Sequence, residues 1–246
     1  MARFEWPEGA RGAVSLSFDD ARPSQVANGA PIFDARGVRA TFYASPGNMH
    51  MRLEDWKAAA KAGHEIGNHT VRHPCTGNFQ WSEGELALEN YDLARIEEEL
   101  MQAGTIIKDA VGVTPETFAY PCGQTHIGRG EGVTTYVPVV ARLFKAGRLF
   151  RSEHVNVPGY WNLAALGGVD SDGFTFGQYR EWAERAAIAG GWVLFAGHDI
   201  GTGGHQVSIA KELDRFCAWL KEPGTDLFVD TVANVSKWIL SRGNAG

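Results

Sequence analysis

Short apolar runs, each too short to be a buried helix, take turns with longer stretches of helical period along almost the whole chain. That alternation is what most narrows the fold. Strands are predicted at 13–18, 38–43, 64–67, 117–120, 148–151, 164–169, 192–197 and 226–229. Helices are predicted at 52–62, 83–103, 138–146, 177–189, 207–221 and 231–241. Local punctuation sets the boundaries. Gly63 follows the first helix, and Ser82 with Glu85 reads as a capping box ahead of the Leu86, Leu93, Ile96 and Leu100 stripe, which Gly104 ends. Pro121 stops the fourth strand, and Pro138 and Gly147 bracket the third helix. Strands separated by helices in this way predict a parallel sheet covered by helices. The pattern alone leaves a closed barrel and an open doubly wound sheet as alternatives.

Composition bounds what such a fold can meet. The 246 residues contain no linker, repeat or charge block, so one domain over 1–246 is expected. With 23 basic and 29 acidic residues the net charge is −6, which argues against a nucleic-acid partner. No apolar run reaches the roughly 20 residues of a membrane span, and the opening 15 residues lack the build of a signal peptide. The expectation is a soluble, cytoplasmic chain without a membrane partner and of open oligomeric state. Three cysteines, Cys75, Cys122 and Cys217, are too few for a disulfide scaffold, and free thiols are expected.

Three groups of residues carry chemistry. Asp19 and Asp20 close the first strand and point to different sides, so one carboxylate can bind a cation while the other stays free as a base. The plainer alternative is a turn or helix cap. His69 and His73 are four residues apart; on a helix they would share a face and reach one ion at about 2.0–2.1 Å. Thr70 stands where a zincin needs glutamate, which excludes that class and leaves the pair short of an acidic ligand that Asp20 can supply. His198 ends the apolar 193–196 run and Gly197, on the same strand edge as the two aspartates.

In this order, Ser17-Phe18-Asp19-Asp20, the block Gly63-His64-Glu65-Ile66-Gly67-Asn68-His69-Thr70-Val71-Arg72-His73-Pro74 and the strand-borne His198 resemble the polysaccharide deacetylase family, carbohydrate esterase family four. The resemblance runs from residue 12 to about 240 and takes in the Trp6-Pro7-Glu8-Gly9 lead-in. It implies a distorted (β/α) barrel, usually of seven strands, holding one divalent metal. That metal is zinc first, with Co2+, Ni2+ or Mn2+ as alternatives. By the same resemblance Asp20, His69 and His73 are metal ligands, Asp19 the general base, His198 the general acid and the Cys122 backbone N–H the oxyanion donor. The implied reaction removes an N-acetyl group from an acetamido sugar or oligosaccharide. Hydrolysis of a small amide, cyclic imide or ureide, a sugar O-acetyl esterase and a non-catalytic carbohydrate-binding homologue are the alternatives.

The match frays in two places. The family's third motif carries an arginine two residues before its proline, which helps orient the base; here Ala119-Tyr120-Pro121-Cys122-Gly123 has alanine there. Arg151, at the end of the predicted 148–151 strand, is the substitute the sequence suggests, with a solvated surface arginine as the plain alternative. The fourth motif is not legible, and no role falls on Asp170-Ser171-Asp172-Gly173. Tyr160 and Trp161 could stack on a sugar or anchor the core, and His126 and His205 fall in loops where substrate contact is conceivable.

Overall fold

A computed structural model describes residues 4–243; the outermost ends of the expected 1–246 unit lie outside the described residues. The strands are β1 (Gly12–Asp19), β2 (Thr41–Ala44), β3 (Glu65–Asn68), β4 (Thr117–Ala119), β5 (His126–Ile127), β6 (Thr134–Thr135), β7 (Ala146–Arg148), β8 (Val169–Asp170), β9 (Trp192–Gly197), β10 (Asp199–Gly201), β11 (Val207–Ile209) and β12 (Leu227–Val229). The helices are α1 (Ala30–Ala35), α2 (Leu53–Lys61), α3 (Leu93–Val111), α4 (Val137–Leu143), α5 (Phe176–Ala189), α6 (Ala210–Trp219) and α7 (Val232–Ser241).

One parallel sheet organises the chain, in the order β7-β4-β3-β2-β1-β9-β8. Strand β12 pairs with Gly12–Val14 of β1, whereas β2 pairs further along, with Ser17–Asp19. The segment ahead of β8 bridges to β7 through Arg148 and Leu166, so the sheet curls back into a half-barrel. All eight residues of β1 are buried, as a parallel strand covered on both faces requires. Phe18, Phe33, Phe42 and Trp56 pack between strands and helices on one side; Trp6, Trp161, Trp192 and Leu194 fill the other. No helix among the described residues is long and apolar enough to cross a membrane.

Four boundaries differ from the sequence expectation, each for a local reason. The longest helix does not start at Ser82, whose hydroxyl is taken by the backbone of Cys75. Short turns of tight helix occupy 80–90, Asp92 caps α3 by accepting from the Arg95 N–H, and the helix runs past Gly104 to a left-handed Gly112. The predicted 164–169 strand is a helical turn at Leu163–Ala165 followed by the two residues of β8. The expected 207–221 helix begins with β11, which pairs with β10. The predicted 148–151 strand lies two to three residues earlier, as β7. That last shift changes the active-site assignment.

Candidate active site

Parallel strands present their carboxyl ends together, and loops at that edge carry the polar groups. Asp19 ends β1, His69 follows β3, Pro121 and Cys122 follow β4, Arg148 ends β7, Asp172 follows β8 and His198 follows β9. At that edge lies a cavity of about 570 Å³, whose lining includes Asp19, Asp20, His69, His73, Cys122 and His198.

Asp19 is buried, and Arg148 Nη2 donates to its Oδ1. The guanidinium is fully buried, lies 5.1 Å from the centre of the Tyr43 ring and gives another N–H to the Leu149 carbonyl. Gly168 makes room for it: a Cβ there would meet Arg148 Cδ at 2.5 Å. Burial works against ionisation of Asp19, but Arg148, His69 and His198 outweigh it and hold the carboxyl below the ordinary aspartate value. Arg151 does not do this. Its side chain is mostly exposed and pairs with Asp170 at 3.0 Å. Because the strand ends at Arg148, the side chain that enters the barrel belongs to that residue, and Arg151 falls in the loop beyond.

Asp20 turns the other way. Its backbone adopts φ 77°, a left-handed conformation costly for a non-glycine residue. Its Oδ1 then lies 3.5 Å from His69 Nε2 and 3.6 Å from His73 Nε2. The histidines do not sit on a helix as their spacing suggested. They flank a turn with Thr70 and His73 at positive φ, closed by the Thr70 hydroxyl accepting from the His73 N–H. Two further N–H groups of the turn, at Val71 and Arg72, donate to the buried carboxylate of Glu99. The turn still brings the imidazole centroids to 4.8 Å.

The donor set fits a divalent ion of the zinc class. One carboxylate oxygen and two imidazole nitrogens lie within 4.8 Å of one another. His69 Nδ1 donates to the Ala119 carbonyl at 2.8 Å, which leaves the Nε2 lone pair free and its ring oriented. Burial first, then His69, push His73 down to about 4, so its nitrogen is available without a proton at neutral pH. Burial opposes the Asp20 charge, but His69 and His73 hold its carboxyl far below the ordinary range. Its Oδ2 is taken by Arg22 at 2.9 Å, and Arg22 also donates to the Asp199 carboxylate and to Gln206 Oε1.

His198 is held from behind by Asp172. Its Nδ1 lies 2.6 Å from Asp172 Oδ2, its backbone N–H donates to Asp172 Oδ1, and the Ser208 hydroxyl fixes that same oxygen. Burial pulls the imidazole down, yet Asp172 and Asp19 outweigh it and raise His198 above the ordinary histidine value. Asp172 and Arg148 are the residues that sequence reasoning missed. The signal for Asp172 was its place two residues after a strand end; for Arg148 it was a basic residue set between Ala146-Gly147 and Leu149-Phe150. Gln25, fully buried, ties the halves together: its Nε2 donates to the carbonyls of both Asp19 and His198, at 2.5 and 3.0 Å.

Cys122 lies at φ 54° in the turn after β4, and Gly123 follows at φ 69°. Only glycine fits at 123, since a Cβ would stand 2.6 Å from the Phe150 carbonyl oxygen. The expectation of free thiols is corrected here: Cys75 and Cys122 form a disulfide, with Cα atoms 6.2 Å apart, while Cys217 is free and buried. Strands β3 and β4 are parallel neighbours in the sheet, so the segments that follow them start side by side, which is why cysteines 47 residues apart meet. Trp161 is a core anchor, edge-on to Phe4 and Trp6. Tyr160 is 80% exposed and does not line the cavity. His205 lines it; His126 lies in a separate one.

The chain and its fold have counterparts among known proteins. The family model described as polysaccharide deacetylase matches residues 7–128. Among curated proteins, the uncharacterized protein YlxY of Bacillus subtilis (strain 168) is 32% identical over 94 residues, covering 38% of this chain and 26% of that protein. This chain therefore spans about a quarter of that relative's length. A solved Mycobacterium smegmatis structure bearing the polysaccharide deacetylase name has a TM-score of 0.72 at 16% identity, covering 99% of this chain and 95% of the other. Peptidoglycan deacetylase PdaC from Bacillus subtilis has a TM-score of 0.55 at 18% identity, with 94% and 93% covered. At these identities the likeness is one of fold.

Proposed function

The chain belongs to the polysaccharide deacetylase family, and from that premise we propose that it is a metal-dependent hydrolase removing N-acetyl groups from an acetamido sugar or oligosaccharide. One observation carries the reading. Asp20, His69 and His73 converge on one wall of the cavity, with a guanidinium-held Asp19 and a carboxylate-backed His198 lining the same space.

Asp20 Oδ1, His69 Nε2 and His73 Nε2 would hold a divalent ion, zinc first, which when bound supplies Lewis acidity toward the attacking water and the acetamide carbonyl. Asp19 has Oδ1 on Arg148 and so offers Oδ2 to take the water proton as the new C–O bond forms. The Cys122 N–H donates to the oxygen that gains charge, from a loop fixed by its disulfide and by Gly123 against Phe150. His198, with Nδ1 committed to Asp172, gives the proton on Nε2 to the departing amine, without which the C–N bond would expel a poor leaving group. Gln206 Nε2 stands 3.4 Å from His198 Nε2 and must give way to that amine.

The test is acetate release from N-acetylated chitooligosaccharides, N-acetylglucosamine and O-acetylated sugars, with Asp19→Asn as control. Release from an acetamido substrate that Asp19→Asn abolishes supports the reading. No release from any saccharide overturns it, and turnover of a cyclic imide or ureide instead would reassign the substrate.

A further inference from the structure

We propose that Cys75 and Cys122, once reduced, form with His73 a second zinc site of two sulfurs and one nitrogen, which takes His73 away from Asp20 and His69. The two ring nitrogens of His73 face different neighbours. Nε2 lies 3.6 Å from Asp20 Oδ1, whereas Nδ1 lies 3.7 Å from Cys75 Sγ. One nitrogen of His73 and the two sulfurs all lie within 4.8 Å of one another. Donors around a tetrahedral zinc, with Zn–S about 2.3 Å and Zn–N about 2.0–2.1 Å, stand roughly 3.5–3.8 Å apart. The spacing of His73 and Cys75 already matches.

The disulfide closes this site, but other bonds also hold its parts together. The Thr76 N–H donates to Gln124 Oε1 at 2.7 Å, which ties the residue after Cys75 to the one two beyond Cys122. The buried Ser82 hydroxyl accepts from the Cys75 N–H and donates to the Cys75 carbonyl, each at 2.8 Å. On the other segment the Gly123 N–H donates to the Tyr120 carbonyl at 2.9 Å. Both cysteine backbones therefore keep their places when the sulfurs part.

Cys75 is fully buried, whereas Cys122 is half-buried and lines the cavity, so a dithiol reductant meets Cys122 first. One thiolate of the reductant attacks Cys122 Sγ and releases Cys75 as a thiolate, which takes up a proton. The second thiol of the reductant then displaces Cys122. The protein has gained two electrons and two protons, and the reductant leaves as a cyclic disulfide. As zinc enters, each cysteine gives its proton to solvent while its Zn–S bond forms. A neutral imidazole has one nitrogen lone pair, so zinc on Nδ1 leaves the proton on Nε2 and deprives Asp20 and His69 of their third partner. Zinc favours soft, charged sulfur, so the reduced chain fills the sulfur site first. The sulfur site stands on its own geometry; only the loss of acetate release rests on the deacetylase reading.

The test adds Co2+ or zinc to the whole metal-free chain, either oxidised or reduced with dithiothreitol that is then removed without oxygen. With Co2+ the reduced protein is expected to show thiolate-to-cobalt charge-transfer absorption in the near ultraviolet, saturating at one equivalent. The oxidised protein, and Cys75→Ser/Cys122→Ser under either condition, are expected to show none. Zinc is expected to raise the Tm of the reduced protein, as binding to the folded chain requires. One equivalent of zinc is expected to restore acetate release to the oxidised protein and to leave the reduced protein near background. Reoxidation before zinc is added brings release back. A reduced protein without the absorption, or with it but without a rise in Tm, overturns the sulfur site. Absorption together with undiminished release overturns the sharing of His73. Absence of release by the oxidised wild type overturns the deacetylase reading instead, and the absorption and the melt still decide the sulfur site.

Discussion

Replacing Arg148 with methionine tests the electrostatic core of the site. The side chain is fully buried, as is nearly all of Asp19, and its contacts are the Asp19 carboxylate, the Leu149 carbonyl and the Tyr43 face. Methionine approximates its length and returns some packing, but strands the Asp19 carboxylate without the guanidinium that holds it. Breaking a buried pair from one side costs about 3–5 kcal/mol. At about 2–4 °C per kcal/mol for a chain of this size, Tm should fall by roughly 6–20 °C. Removing both partners, in Asp19→Asn/Arg148→Met, should recover at least half of that loss, because the stranded charge is gone. The pH sign is fixed by the same pair. Asp19 ionises below its ordinary value in the fold, so its contribution is complete above the unfolded value and is lost as pH falls through the folded one. The gap between wild type and Arg148→Met should therefore be widest near neutral pH and shrink in acid. In kcat/KM profiles of Arg148→Met the acid limb should move to higher pH. Thermal melts of the chelated proteins, run as a double-mutant cycle at two pH values, measure the stability part. A single mutant as stable as the wild type, or costs that simply add, would refute the reasoning.

Other perturbations have equally definite outcomes. Asp172→Asn removes the charge that outweighs burial at His198, so the alkaline limb of kcat/KM should move to lower pH while the acid limb stays; an unmoved alkaline limb would separate His198 from the acid role. Gln25→Leu leaves two buried carbonyls without their donor and should cost about 1–3 kcal/mol by denaturant melt, with kcat falling more than KM rises; stability and kcat both unchanged would argue against the clamp. Cys75→Ser/Cys122→Ser opens a loop spanning 47 residues and should lower stability by about 4 kcal/mol in the chain-entropy account, whereas a dithiol-insensitive melt of the wild type would argue against the bond.

Much of the architecture was legible because strand and helix periods are local properties. The buried runs around Val14 and Val193 follow from a few neighbouring residues. The convergence of Asp20, His69 and His73 also followed from residue type and order, although the helix assumed between the histidines is a turn with two left-handed residues. What was hidden depended on partners remote in sequence. Arg148 is 129 residues from Asp19, and an error of two or three residues in one strand was enough to nominate Arg151 instead. Asp172 meets His198 across 26 residues, and Ser82 looked like a helix cap because nothing nearby betrays that Cys75 claims its hydroxyl. Side chains that serve a distant backbone leave no local periodicity to read.

The central claim is that Asp20, His69 and His73 hold one divalent ion on which hydrolysis depends. Acetate release measured while zinc is returned to chelated protein tests it most directly. Release should fall to background on chelation and climb linearly until one equivalent per chain is bound, with His73→Ala showing neither the bound ion nor the recovery. Full release from the chelated protein, or recovery unaffected by His73→Ala, would contradict the claim.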